Sequence, residues 1–108
     1  MWDSLTPQLL NALNFNFDNP ICNIFVAKFQ LTIDVTFAVV DGMDVHGWLS
    51  IKPLSDTQVL VSYCCKVDDE LRTRNESLQV KSWNRFVSDV EAVAKAYHKE
   101  IVRVLDSE

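Results

Sequence analysis

The side chains in this chain that could do acid or base chemistry lie on either side of an Asp41-Gly42 turn signal. Asp34 precedes the turn and His46 follows it, so a β-hairpin would place them on neighbouring strands. A carboxylate beside an imidazole can form an oriented acid/base pair, and Trp48 would add a stacking wall. The sequence supplies no nucleophile and no oxyanion site for them, so we assign no catalytic residue. A minor enzyme that uses Asp34 and His46 is kept as a third hypothesis.

The three cysteines form neither a metal site nor a disulfide framework. Cys64 and Cys65 are adjacent, so on a strand their side chains point to opposite faces, and no pair including Cys22 has the CxxC spacing of zinc ligands. The chain has only two glycines and contains neither of the common glycine-rich phosphate loops. We therefore predict no cofactor, no metal, and free thiols in a reducing, cytoplasmic compartment.

Charge and hydropathy narrow the class of partner. Fifteen acidic against ten basic residues give a net charge of −5, whereas nucleic-acid binders usually show a basic patch. The only close basic pair, Arg72 and Arg74, stands beside acidic residues. No stretch is apolar enough to span a membrane, and the N-terminus lacks the pattern of a signal peptide. We expect no nucleic acid and no membrane as partner, and a slight preference for a basic protein.

The strand that must position Asp34 is the strongest signal in the chain. From Phe25 to Val39 the odd positions are apolar and many of the even ones are polar, which predicts one long strand containing a bend or bulge. A three-residue loop, Val40-Asp41-Gly42, gives the hairpin a coherent register. Its core face pairs Phe37 with Val45, Val35 with Gly47, Ile33 with Leu49 and Leu31 with Ile51, and its polar face pairs Thr36 with His46, Asp34 with Trp48 and Thr32 with Ser50.

The remaining elements complete a small fold. Thr6 and Pro7 begin a short helix that the asparagine-rich stretch 14–20 ends, and a third strand covers Val59–Val67. Residues 68–77 are predicted to be a solvated connection, and an amphipathic helix runs from Leu78 or Ser82 to Leu105. We predict one α+β domain over residues 1–108, of order α-β-β-β-α. It would be an antiparallel three-stranded, possibly four-stranded, meander with the long helix packed across one face.

The polar face of this sheet is the candidate partner-binding surface. It offers one large aromatic side chain among small polar ones, which is typical of protein-binding surfaces. The candidate partner-binding residues are Asp34, Thr36, His46, Trp48 and Ser50. In the equally weighted alternative, the N-terminal helix folds over Trp48 and Leu60 instead.

The order of elements and the segment "FVSDVEAVAKAYHKEIVRVL" resemble the type III secretion chaperone-like family and its YbjN-type relatives. That resemblance implies a small acidic α+β protein, usually dimeric, that holds or regulates another protein. We therefore expect a non-enzymatic protein-interaction module (a chaperone, adaptor, inhibitor or immunity-type protein) that binds another protein through a sheet face or edge, with a homodimer possible.

An alternative from a different class is a carrier of a small apolar ligand. Its pocket would lie between the sheet and the C-terminal helix. The pocket would be lined by Phe29, Ile33, Phe37, Trp83 and Tyr97.

Overall fold

A computed structural model describes the backbone of residues 5–40 and 43–104, and the side chains of these residues apart from 36–40 and 43–45. Within these ranges the chain forms two helices and six strands. They are α1 (Pro7–Phe17), β1 (Cys22–Ala27), β2 (Gln30–Val40), β3 (Met43–Ser55), β4 (Gln58–Val67), β5 (Glu70–Gln79), α2 (Trp83–Ala96) and β6 (Ile101–Arg103). The sheet order is β5-β4-β3-β2-β1-β6, and it is mixed because β6 runs parallel to β1. Neither helix has the length and apolar character needed to cross a membrane.

The α+β class is confirmed, but the three- or four-stranded meander is wrong. The single long strand predicted from Phe25 to Val39 is two strands, since Ala27 pairs with Gln30 across a tight turn at Lys28 and Phe29. In β1, which precedes this turn, both odd-numbered and even-numbered positions carry apolar side chains. Ile24 and Val26 face the core, whereas Phe25 is exposed, so the alternation of β2 cannot be extended backwards into β1.

Strand β5 was predicted to be a solvated connection, and that interpretation is wrong. It lies at the edge of the sheet and pairs with β4 along its whole length, from Val67 opposite Glu70 to Gln58 opposite Gln79. Asp68 and Asp69 form the turn with φ of 47° and 70°, a left-handed conformation that acidic residues tolerate in hairpins. An edge strand that buries little apolar surface leaves almost no hydrophobic period to detect.

Helix α2 is shorter than the predicted C-terminal helix. Of the two predicted starts, Ser82 is confirmed, because its side chain accepts a hydrogen bond from the Arg85 backbone N–H at 3.1 Å. The helix ends before His98, whose φ of 57° turns the chain out of the helix. Ile101 then begins β6, so an apolar residue spaced as if on a helix belongs to a strand.

Helix α1 begins as predicted and extends further than expected. Thr6 accepts a hydrogen bond from the Leu9 backbone N–H at 3.2 Å, and Pro7 occupies the first turn. The helix continues through the asparagine-rich stretch to Phe17, whose ring is buried, while Phe15 is exposed.

The hairpin register is confirmed and the loop beside it is not. All four predicted core pairs and all three predicted polar pairs named above occur between β2 and β3. Val40, however, pairs with Met43, and the irregularity lies between Phe37 and Val40 rather than in a three-residue loop. The extra residue is thus accommodated within β2. Asp41 and Gly42 themselves lie outside the described residues.

Both helices pack on one face of the sheet and form a single core with it. Leu9, Leu13 and Phe17 of α1 and Phe86, Val90 and Val93 of α2 are buried in one cluster. The strands contribute Ile24, Val26, Leu31, Ile33, Leu49, Ile51, Val59 and Val61. Neither α1 nor α2 lies on the opposite face, so the described part of the fold has two layers.

Candidate functional site

The face of the sheet turned away from the helices carries most of the predicted binding residues. We call it the open face and define it by Thr32, Asp34, His46, Trp48, Ser50, Leu60, Ser62 and Cys64, all of which are partly exposed. Successive side chains on a strand alternate between faces, and the neighbours of these residues in sequence include the buried Ile33, Leu49 and Val61. Helix α1 packs on the core side, so it does not fold over Trp48 and Leu60.

Asp34 and His46 form the pair that their register predicts. His46 Nε2 lies 2.5 Å from Asp34 Oδ1, and the two side chains are 42% and 35% exposed. The two residues are diagonal neighbours, because Asp34 faces Trp48 and His46 faces Thr36 across the β2–β3 pair. The carboxylate therefore fixes the orientation of the imidazole on the surface of the sheet.

Trp48 lies beside this pair. Its ring centroid is 5.0 Å from that of His46, with the ring planes inclined at 41°. On the other side of Trp48 along β3, Ser50 accepts a hydrogen bond from Gln30 Nε2 at 3.2 Å. The structure thus brings Asp34, His46, Trp48 and Ser50 together in one ordered patch.

Thr36, the fifth predicted residue, belongs to the same patch by its backbone. It pairs with His46 across the hairpin. Its side chain lies outside the described residues.

The patch can hold a proton between an imidazole and a carboxylate and can present a flat aromatic surface. Cys64 lies opposite Trp48 on β4, and its sulfur is 3.9 Å from the Thr73 hydroxyl. Among the described residues, no three His, Cys, Asp or Glu side chains come together in a way that could hold a metal ion. All three cysteines carry free thiols. The arrangement is one aromatic ring surrounded by small polar groups.

The five residues predicted to line a pocket under the C-terminal helix do not lie together. Ile33 is fully buried in the core, Phe29 is exposed in the β1–β2 turn, and the side chain of Phe37 lies outside the described residues. Trp83 begins α2 and donates to the Lys28 carbonyl at 2.9 Å, whereas Tyr97 follows α2 and contacts Phe17. The helix between them is about 21 Å long, so the two aromatic rings lie at opposite ends of it.

A concave site that the sequence did not reveal lies beside α1 instead. It is an open groove of about 570 Å³ between the last turns of α1 and the core-facing side of β3, β4 and β5. We call it the Tyr63 groove and define it by its lining residues, which are Ala12, Phe15, Asn16, Gly47, Trp48, Leu49, Tyr63, Cys64, Cys65, Arg72, Thr73 and Arg74. Trp48 and Cys64 belong to the open face as well, so the groove adjoins that face. The available sequence signals were the close spacing of Arg72 and Arg74 and the glycine at position 47. These residues indicate a groove only once the position of α1 is known, and the alternation of the strands does not determine that position.

The floor of the groove is organised around Tyr63. Its hydroxyl donates to Glu76 Oε2 at 2.8 Å, and the Arg74 guanidinium carbon lies 4.6 Å from the centre of its ring. Burial, and then the hydrogen bond to Glu76, raise the pKa of the Tyr63 phenol well above its usual range. The phenol therefore stays protonated and keeps its bond to Glu76.

The Cys22 thiol is a further group whose pKa is altered by its surroundings. It packs against the core from β1. Burial raises the pKa of the Cys22 thiol, although Lys99 acts in the opposite direction. Its thiol is therefore less reactive than that of an exposed cysteine.

Comparison of the chain with protein-family models, with curated proteins and with solved structures finds no match. The function is therefore inferred from two features of the molecule. These are the open face with its ordered Trp48 patch and the Tyr63 groove on the other side of the sheet.

Proposed function

We propose that this chain is a non-enzymatic protein-interaction module that captures a partner protein on its open face, with Trp48 at the centre of the contact. The observation that carries the proposal is the Trp48 patch. Trp48 lies on a sheet face that neither helix covers, and it is packed against His46, which Asp34 holds in place. Chaperone, adaptor, inhibitor and immunity-type roles are all forms of this function.

The physical support is preorganisation. A partly exposed tryptophan is the side chain most often found at energetic centres of interfaces. Here its neighbours are already fixed, by the Asp34–His46 contact on one side and by the Gln30–Ser50 bond on the other. Binding would immobilise few additional rotamers, so less of the contact energy would be lost as entropy.

Charge indicates the chemistry of the partner. The whole chain carries a net charge of −5, and Asp34 places a carboxylate inside the patch. A partner with a basic rim around a pocket for the indole would be attracted at long range and would fit this patch. We propose that this partner is a different protein in the cytoplasm, and a second copy of the chain is the competing occupant that the experiment must separate.

The experiment compares the wild-type chain with Trp48→Ala and with Phe29→Ala. Phe29 is a suitable control because it is an exposed aromatic residue in the β1–β2 turn, away from the open face. Proteins captured by the wild type from the native host are identified, and each is purified and titrated against the three chains by calorimetry. We expect Trp48→Ala to weaken binding about tenfold or more and Phe29→Ala to leave it unchanged.

Two further measurements make the result decisive. Thermal unfolding checks that Trp48→Ala is folded, and light scattering of the chain alone reports self-association. A folded Trp48→Ala chain that binds the purified partner as tightly as the wild type would contradict the proposal. Loss of self-association on this substitution, with no heterologous partner, would assign the face to a homodimer and would also overturn it.

A further inference from the structure

We propose that the Tyr63 groove binds a small molecule with a flat apolar body and one carboxylate, and that Arg74 binds the carboxylate. Most of the groove's lining lies on the helix-covered side of the sheet, whereas the proposed partner-binding patch lies on the open face and shares only Trp48 with the groove. The ligand site is therefore additional to the proposed function. Either can fail without the other.

The shape of the groove suits a small molecule. Its volume of about 570 Å³ lies within the range of small-molecule sites, and its walls are largely apolar, with Ala12 and Phe15 on one side and Tyr63 on the floor. Gly47 adds depth, because it faces the core between Val35 and Cys65 and has no side chain to fill the space.

The length of the groove argues against a peptide. On α1 its wall extends from Ala12 to Asn16, which is about 6 Å along the helix axis. On β3 it extends from Gly47 to Leu49, which is about 7 Å. Across the strands it extends from β3 to β5, which is two interstrand spacings or about 10 Å. Even this longest direction holds only about three residues of extended chain, so a peptide would leave the groove after a short contact.

The charges of the groove select an anion. Among the described residues that line it, Arg72 and Arg74 are the only charged ones. Arg72 is paired with Glu70 at 3.6 Å, on the exposed edge of the sheet. Arg74 lies over the ring of Tyr63 and against the side-chain amide of Gln8, and it makes no ion pair with any residue that the structure describes. The Glu76 carboxylate nearby accepts the hydrogen bond from the Tyr63 hydroxyl. A guanidinium that is not ion-paired and lies beside an apolar cavity is matched by a carboxylate, which it can bind through two parallel hydrogen bonds.

The experiment uses 2-naphthoate and its neutral counterpart 2-naphthamide, titrated into the isotopically labelled full chain and followed by NMR. We expect saturable shifts at the amides of Ala12, Gly47 and Cys65, with the amides of Thr32 and Ser50, which do not line the groove, unmoved. Naphthoate should bind about tenfold more tightly than naphthamide, because only the anion gains the charge-assisted bonds to Arg74.

Substitutions separate the apolar and the ionic parts of the site. Arg74→Gln should weaken naphthoate about tenfold and leave naphthamide unchanged, whereas Lys52→Gln, which removes a cation from the other face, should affect neither. Gly47→Val should fill the groove and block both compounds. Ala12→Leu, a change that a helix tolerates well, should do the same if Gly47→Val fails to fold.

Several results would overturn the assignment. Equal affinity for naphthoate and naphthamide would show that Arg74 does not select a carboxylate. Absence of saturable binding, or shifts centred on Thr32 and Ser50, would show that the groove is not the site. Tighter binding of a short acidic, aromatic peptide than of naphthoate would assign the groove to a protein partner instead of a small molecule.

Discussion

His46 and Trp48 are two residues apart on β3, and this spacing is what places both rings on the open face. The contact of His46 with Asp34 was predictable, because one register alone gives the β2–β3 hairpin a consistently apolar face. That register makes Asp34 and His46 diagonal neighbours. The cation–π contact of Arg74 with Tyr63 was not predictable in this way. It joins β4 to β5, a strand whose pattern of side chains gives no sign of pairing.

The phenol of Tyr63 gives a prediction at the scale of the residue. Its pKa in the folded chain lies above the unfolded value of about 10, so the folded state holds the proton more tightly. The free energy of unfolding should therefore fall as the pH rises above about 10. Urea unfolding at a series of alkaline pH values measures this, with Tyr63→Phe as the control in which the Tyr63 part of the fall disappears. An identical alkaline profile for Tyr63→Phe and the wild type would contradict the assignment.

The thiol of Cys22 gives a second prediction at this scale. Because burial raises its pKa and shields the sulfur, Cys22 should react slowly with iodoacetamide in the folded chain. The measurement uses the double variant Cys64→Ser, Cys65→Ser, in which Cys22 is the only thiol left. Its alkylation should be about tenfold or more slower in buffer than in urea. Equal rates in the two conditions would show that the Cys22 environment is wrongly described.

At the scale of elements, a strand could be predicted from the sequence where one of its faces is buried, because burial makes apolar residues recur at every second position. Strands that bury little surface lack this pattern and were missed. Strands β2, β3 and β4 each bury one face, and their alternation predicted their presence and pairing. Strand β5 pairs with β4 along its whole length but has only Leu78 buried in the core, and β6 is only three residues long. The Asp68-Asp69 turn and the His98 helix end are the local signals that separate these strands from their surroundings.

The start of α2 gives a prediction about an element. The Ser82 side chain satisfies the otherwise unpaired N–H of Arg85, so Ser82→Ala should lower the free energy of unfolding by about 1 kcal/mol. Ser88→Ala is the matched control, since Ser88 is exposed within the same helix and alanine is the better helix former there. Denaturant unfolding measures both. An equal effect of the two substitutions would contradict the role of Ser82 as the cap.

At the scale of the whole molecule, the two faces of the sheet are specialised. The core side buries the apolar side chains of both helices and leaves the Tyr63 groove beside α1. The open face is left to small polar side chains around Trp48. The sequence was sufficient to assign the apolar residues of β2 and β3 to one face and the polar residues to the other. It was not sufficient to predict the position of α1. The apolar positions of α1 show which side of the helix is buried, but not which strands it packs against.

The most direct test of the proposal that the open face binds a protein is an NMR titration with the purified partner. The indole N–H resonances of Trp48 and Trp83 are followed. Trp48 lies in the patch, whereas Trp83 donates its N–H to the Lys28 carbonyl at the start of α2. We predict that the Trp48 resonance shifts or broadens in proportion to complex formation, and that the Trp83 resonance stays in place. A complex that perturbs Trp83 and leaves Trp48 unchanged would contradict the account.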